Sequence, residues 1–329
     1  MSHPLRQLTP GQVQFITVNT ERREFLLTPY LHHSTAGRRL SRRQRRALDR
    51  TPASPEINNI LGACLARANA RYPVNLIAFQ AMATHCHLEH CDDKGNQPFF
   101  MSLFLSLSAR EINRHLGREG KVWARRHSSS ACLGDEVQIE KFAYLHANPC
   151  RAHLVDHAAD WPGLSTVHAV TQGAPLRFWY HDRTAFHRAR HRGEQVTLDD
   201  FRRDITLELV TLPCWQDLPV AEQRRRAAEA IRIAEDEARK TRLAEKKSVM
   251  PLDVLLAQQP TQRPSQPLAR TPRPLCHASD QETYFAFRDQ YREFCREYHA
   301  ASFAFRGGDL GVVFPKYSIP PSLLYRTTE

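Results

Sequence analysis

The chain has 329 residues, room for one large domain or two ordinary ones, and a hydrophobic fraction of 41% that excludes a wholly disordered protein. Lys and Arg outnumber Asp and Glu by 46 to 35, and the net charge of +11 favours a polyanionic partner, either nucleic acid or an anionic surface. The longest apolar run, Phe99 to Ala109, falls short of the ~20 residues a membrane span needs, so no membrane partner is expected.

The opening MSHPLRQLTPG has no apolar core, so no secretory signal is expected there. The 8 cysteines lie far apart with no CxxC pair, which reads as reduced thiols in a cytoplasmic protein. Gly11 to Thr20 alternates apolar and polar residues and predicts a strand. Gly37 to Arg50 is densely basic, a solvated helix or loop, or a DNA contact. Ser54 to Tyr72 predicts a helix, with Ile57, Ile60, Leu61, Cys64, Leu65 and Ala68 at helical spacing. Val74 to Met82 reads as a buried strand, and HCHLEHC as its hairpin partner. Pro98 to Gly117 predicts a second helix, Lys121 to Leu133 a further strand with a polar interruption, and Asp135 to Pro149 a third helix stopped by its Asn-Pro step. The first six elements spell βαββαβ, an α+β ferredoxin-like unit of about four strands with two helices on one face.

Beyond about residue 170 the texture changes to a mainly helical extension, 171–257. Its Ala-, Glu- and Arg-rich stretch from Asp217 to Lys247 predicts a long solvated helix with a thin seam of Ala227, Ile231, Ala234 and Ala238. Gln258 to Leu275 is a Pro- and Gln-rich linker, expected to be disordered. The last segment, 276–329, carries a helix opened by a Ser279/Glu282 capping box. Tyr284, Phe287, Tyr291, Phe294 and Tyr298 fall on one face of it, a stripe expected to dock on the main domain.

Two short stretches carry chemistry. In THCHLEH, side chains alternate across a strand, so His85 and His87 share one face while Cys86 and Leu88 take the other. Two imidazoles on one pleat can grip a divalent metal, although core histidines commonly show the same spacing. In FAYLHANP, Tyr144 and Asn148 are four apart on the predicted helix and share its face. A Tyr on a helix is most often core, and neither residue decides alone.

Taken together and in order, these stretches resemble the single-tyrosine HUH transposases, in particular the REP-associated tyrosine transposase branch. The likeness rests on His85-Cys86-His87, on Tyr144-Leu145-His146-Ala147-Asn148-Pro149 with Arg151, on Gly120, Trp123 and Arg126 at Gly-x-x-Trp-x-x-Arg spacing, and on Phe15-Ile16-Thr17 followed by Arg22-Arg23-x-Phe25. It spans roughly residues 11–170 and implies an HUH endonuclease-type domain over 1–170. Ala83-Thr84 replaces the usual Pro-Asn, and Glu89 sits where a hydrophobic residue is common.

The resemblance implies cleavage and joining of single-stranded DNA through a 5′-phosphotyrosine intermediate, with hairpin or palindromic DNA as partner. Tyr144 would be the catalytic nucleophile. His85, His87 and Asn148 would hold Mg²⁺ or Mn²⁺, of which Mn²⁺ takes mixed nitrogen and oxygen ligands more readily. Arg125, Arg126, Arg151 and the Arg38–Arg46 cluster, Arg42 and Arg43 among them, are candidate phosphate contacts, with Trp123 a candidate base-stacking platform or a core residue. Two rival readings stand: a non-catalytic DNA-binding protein on the same fold, and a structural zinc site of His85, His87, His90 and Cys91. The sequence leaves open monomer or homodimer, the DNA target, and a mobile-element or a domesticated role.

Overall fold

A computed structural model describes residues 5–29, 56–265 and 274–321. The basic cluster with Arg42 and Arg43, and 266–273 of the Pro-rich stretch, lie outside the described residues. Among the described residues, five strands form the main sheet in the order β2-β3-β1-β4-β7: β1 Val13–Asn19, β2 Asn75–Ala81, β3 His85–Cys91, β4 Ser128–Leu133 and β7 Cys276–Ala278. β1 is central and antiparallel to both β3 and β4, with Thr17 opposite His87 on one side and Ser128 on the other. β2 and β3 form the expected hairpin, closed where Met82 N–H donates to His85 O at 2.8 Å. β7 adds in parallel to β4, so the chain's last segment completes the sheet rather than leaving it.

Alternation in β1 sends Ile16 and Val18 to one face, and Val13 and Phe15 to the other. The first face is covered by α1 (Glu56–Arg71) and α2 (Gln97–His115), whose Ile57, Leu61, Leu65, Phe100 and Phe104 are fully buried against it. The second face is covered by α3 (Asp135–Arg151), through Phe142 and Leu145. α3 runs two residues past the expected stop. Pro149 sits in its last turn, where the missing N–H forfeits a single helical hydrogen bond.

Several expectations are corrected by tertiary packing. The strand expected from Lys121 begins only at Ser128. Before it, Gly120 takes φ 97° and Trp123 forms a lone bridge with Thr20. The extension opens with a short helix, α4 (Val167–Gln172), and contains a two-stranded ribbon, β5 Leu176–His181 and β6 Arg202–Leu207, joined through α5 (Arg183–His191). The ribbon seats on α1, where a Cβ on Gly62 would meet the Phe178 ring at 2.2 Å. Gly62→Ala is therefore expected to destabilise the fold by about 1–3 kcal/mol through overpacking, read as a lower urea midpoint.

The long helix α6 (Val220–Ala244) is not solvated all round, because Ala227, Ile231 and Ala238 are buried against α3. Small side chains let the two helices approach. Glu235 accepts from the Ala158 N–H at 2.6 Å, and Arg242 pairs with Asp156 at 2.6 Å. After a short helix, α7 (Leu252–Leu256), part of the expected linker is already tethered: Phe25 N–H donates to Gln262 O at 3.1 Å. In α8 (Gln281–Arg306) the cap is Asp280, not Ser279; its carboxylate accepts from Thr283 N–H at 2.7 Å. The aromatic stripe packs on the chain ends, with Tyr291 donating to Leu5 O and Tyr298 to Ile319 O, both at 2.9 Å. Among the described residues no helix is long and apolar enough to cross a membrane.

The core encloses ionisable groups that fix how stability responds to acid. Burial pulls His90 and His146 down to about 4. An unfolded chain protonates these rings near pH 6.5. Between those values the unfolded state binds more protons, so stability falls as pH falls, by about 1.4 kcal/mol per unit for each ring. Glu89 acts in the opposite sense. Both its carboxyl oxygens are buried without a hydrogen-bond partner, and burial raises it well above the usual carboxylate range. Burial without a partner favours its protonated form in the fold, while the unfolded chain ionises it at neutral pH. Glu89→Leu is expected to raise the urea midpoint at pH 7 and to change it little at pH 4.

Candidate metal and nucleophile site

β3 enters the sheet at His85, and its pleat sets the His85 and His87 rings side by side with centroids 4.8 Å apart. Each ring is held from behind by a threonine. His87 Nδ1 lies 3.0 Å from Thr17 Oγ1 on β1, and His85 Nδ1 lies 3.1 Å from Thr84 Oγ1 in the hairpin turn. His87 Nε2 accepts from the Asn148 amide nitrogen of α3 at 3.1 Å, so its proton sits on Nδ1 and points to Thr17. Burial, aided by the charge of Arg23, pulls His85 down to about 4. Burial and then its neighbour His85 hold His87 well below the ordinary histidine range. Both rings are neutral at pH 7, the form that binds metal.

The donor set suits a divalent ion of mixed nitrogen and oxygen preference. Rotating the Asn148 amide end for end brings its carbonyl oxygen to the place its nitrogen now occupies, beside His87 Nε2. The sphere is incomplete from protein alone: among the described residues no group of three or more His, Cys, Asp or Glu side chains could hold a metal. The four-ligand zinc reading is thereby set aside. His90 points to the opposite face of β3 and packs on Phe100, with ring centroids 6.3 Å apart.

Tyr144 stands one helical turn before Asn148 on α3. Its ring lies 6.0 Å from that of His87, edge to face, and 6.0 Å from Phe15. Phe15 also lies 5.1 Å from His87, so one β1 side chain buttresses both rings. Tyr144 is only half-buried, and among the described residues its hydroxyl makes no hydrogen bond. Two cations flank the ring: Arg151 with its guanidinium carbon 5.0 Å from the centroid, and Lys141 with Nζ at 5.7 Å. Lys141 escaped the sequence reading, although its position three before Tyr144 on a helix was a usable signal.

Beside the histidines lies a cleft lined by Thr17, Asn19, Thr20, Glu21, Arg22, Arg23 and Ala124–Arg126. Arg125 and Arg126 are exposed there, and Arg151 is exposed over Tyr144, so the structure sets these three around the site. Trp123 does not join them as a free platform. Its ring packs 6.3 Å from Phe104, and its N–H donates to Leu105 O and Ser108 Oγ, both at 3.1 Å. Arg22 and Arg23 belong to the cleft as well. The sequence reading noticed them as a motif and gave them no role.

No protein-family model matches the chain, and no curated protein matches it. Among solved structures, the chain is similar to one described as "Structure of the REP associates tyrosine transposase bound to a REP hairpin". The identity is 19%, covering 54% of this chain and 90% of that one, with a TM-score of 0.35.

Proposed function

We propose that the chain is a divalent-metal-dependent enzyme that nicks and joins single-stranded or hairpin DNA, with Tyr144 as nucleophile. One observation carries the reading. A single end of the sheet gathers two neutral imidazoles, an amide 3.1 Å from one of them, and a phenol whose ring is 6.0 Å away and whose hydroxyl makes no hydrogen bond among the described residues. The arginine-lined cleft shares Thr17, the residue that holds His87, with this cluster. The antiparallel order β2-β3-β1-β4, with α1 and α2 on one face, supports a ferredoxin-like HUH endonuclease-type core.

His85, His87 and Asn148 would hold the ion, Mn²⁺ more readily than Mg²⁺. When bound, it supplies Lewis-acid polarisation of the scissile phosphate. Thr17 and Thr84 fix the ring orientations, as outer partners of metal ligands do. Phe15 keeps the Tyr144 ring at its distance from His87, and Lys141 and Arg151 flank that ring, placed to meet the charge of an approaching phosphate. In the cleavage step a bond forms between Tyr144 Oη and phosphorus, and the bond from phosphorus to the 3′ oxygen breaks. The phenol proton ends, net, on that 3′ oxygen. The products are a 5′-phosphotyrosine and a free 3′-OH, and reversal on a second 3′-OH joins strands without an external energy source. The test is incubation of the full chain with a panel of labelled hairpins, with and without Mn²⁺. Metal-dependent nicks bearing 3′-OH ends support the reading; intact DNA across the panel rejects it.

A further inference from the structure

The turn Glu21–Arg23 leaves β1 and holds two consecutive non-glycine residues in the left-handed region, Arg22 at φ 50° and Arg23 at φ 60°. Such strain survives only where the surroundings over-determine it. Here Glu21 N–H donates to Val122 O at 2.6 Å, and Arg23 N–H to Thr20 O at 3.1 Å. Thr20 Oγ1 reaches Glu24 O at 2.6 Å and Thr84 O at 3.0 Å, tying the turn to the residue before His85. The strained turn and the histidine pair thus form one rigid assembly.

The side chain that this turn aims has no hydrogen-bond or ion-pair partner among the described residues. Arg23 makes no hydrogen bond or ion pair among the described residues, and its Nε is buried without an acceptor. Its neighbours are differently engaged: Arg22 pairs with Glu21 at 3.8 Å, and Glu24 is taken by Arg118 at 3.7 Å and Arg263 at 3.6 Å. Arg23 lines the cleft together with Arg22, Arg125 and Arg126, and the single acid in that lining, Glu21, is already paired. Thr17, the residue that holds His87, forms part of the same wall. A desolvated guanidinium without an acceptor needs one from outside, and a planar donor fork matches the oxygens of a phosphate.

We propose that Arg23 seats a backbone phosphate of the bound DNA strand in this cleft, next to the reacting phosphodiester, with Arg22 and Arg125 supporting it. The inference rests on the nuclease reading above and adds a strand-binding position that fixes where DNA lies relative to His85. Arg23 is a binding and positioning residue, and the strain at its backbone serves to aim it.

The experiment measures affinity of the full chain, in a Tyr144→Phe background that leaves substrate intact, for a single-stranded oligonucleotide across a salt series. Arg23→Gly is the informative variant, because glycine suits a positive φ and keeps the turn. The expected result is a melting temperature unchanged or higher, affinity lower by roughly 10- to 100-fold at low salt, and a log–log salt slope shallower by about 0.7, one phosphate contact. Arg23→Lys is expected to keep the slope and recover only part of the affinity, since it lacks the fork. Inorganic phosphate at equal ionic strength, competing against wild type but not against Arg23→Gly, ties the position to phosphate oxygen. Unchanged affinity and slope in Arg23→Gly, with wild-type Tyr144 protein still nicking hairpins, overturn this inference and spare the nuclease reading. Failure of the parent protein to bind any single strand overturns both.

Discussion

Tyr144→Phe is expected to bind hairpin DNA within about twofold of wild type and to nick it at least roughly 10³-fold more slowly. The separation follows from what the hydroxyl does and does not touch. It makes no hydrogen bond among the described residues, so its removal leaves no buried polar group unpaired. The ring keeps its edge contacts with His87 and Phe15 and its two flanking cations, because a phenylalanine presents the same face. Stability should therefore shift by less than about 0.5 kcal/mol. The phenol oxygen alone is lost, and with it the atom that would accept the phosphoryl group. Parallel measurement of hairpin affinity and nicking rate checks this. Equal rates in both proteins would reject Tyr144 as nucleophile and favour another residue or a hydrolytic route.

The second large effect is expected at His87. Its two ring nitrogens link β1 to α3, with Thr17 on one side and Asn148 on the other. His87→Ala removes one of two imidazole donors and also releases the Asn148 amide from its position. Disturbing the outer partners of metal ligands commonly weakens metal binding by about 10–100-fold, so loss of a donor itself should do at least that. The expected result is nicking lowered by ~10² or more and restored only in part by high Mn²⁺, with hairpin binding in the absence of metal largely kept. His85→Ala, at the more open position, should show the same pattern with a smaller loss of stability. Calorimetric Mn²⁺ titration with and without a bound oligonucleotide measures the grip directly. If the described residues offer the ion two imidazoles and an amide, affinity should rise when DNA contributes oxygen. Metal dependence unchanged in both variants would remove the histidine pair from the mechanism.

What the sequence disclosed was whatever depends on short-range periodicity. The alternation of β3 places His85 and His87 on one face, and the i, i+4 rule places Tyr144 beside Asn148. The order of the first six elements was legible for the same reason. What it hid depends on contacts between distant segments. α6 looked solvated because its buried seam is mostly alanine, and only the close approach of α3 makes that seam a packing surface. The β5–β6 ribbon looked like part of a helical stretch, and its partner is a glycine notch more than a hundred residues earlier. Trp123 could equally have stacked a base, until its N–H was found donating to α2. Arg23 was hidden by its backbone: nothing in the run ERREF announces two left-handed arginines.

The most direct test of the account is to trap and map the covalent product. Full-length protein incubated with Mn²⁺ and a hairpin that it nicks, then denatured and digested, should yield one peptide carrying a nucleotide 5′-phosphate on Tyr144, with an equal amount of DNA ending in a 3′-OH. An adduct on a different residue, or nicking with 5′-phosphate ends and no adduct, would contradict it.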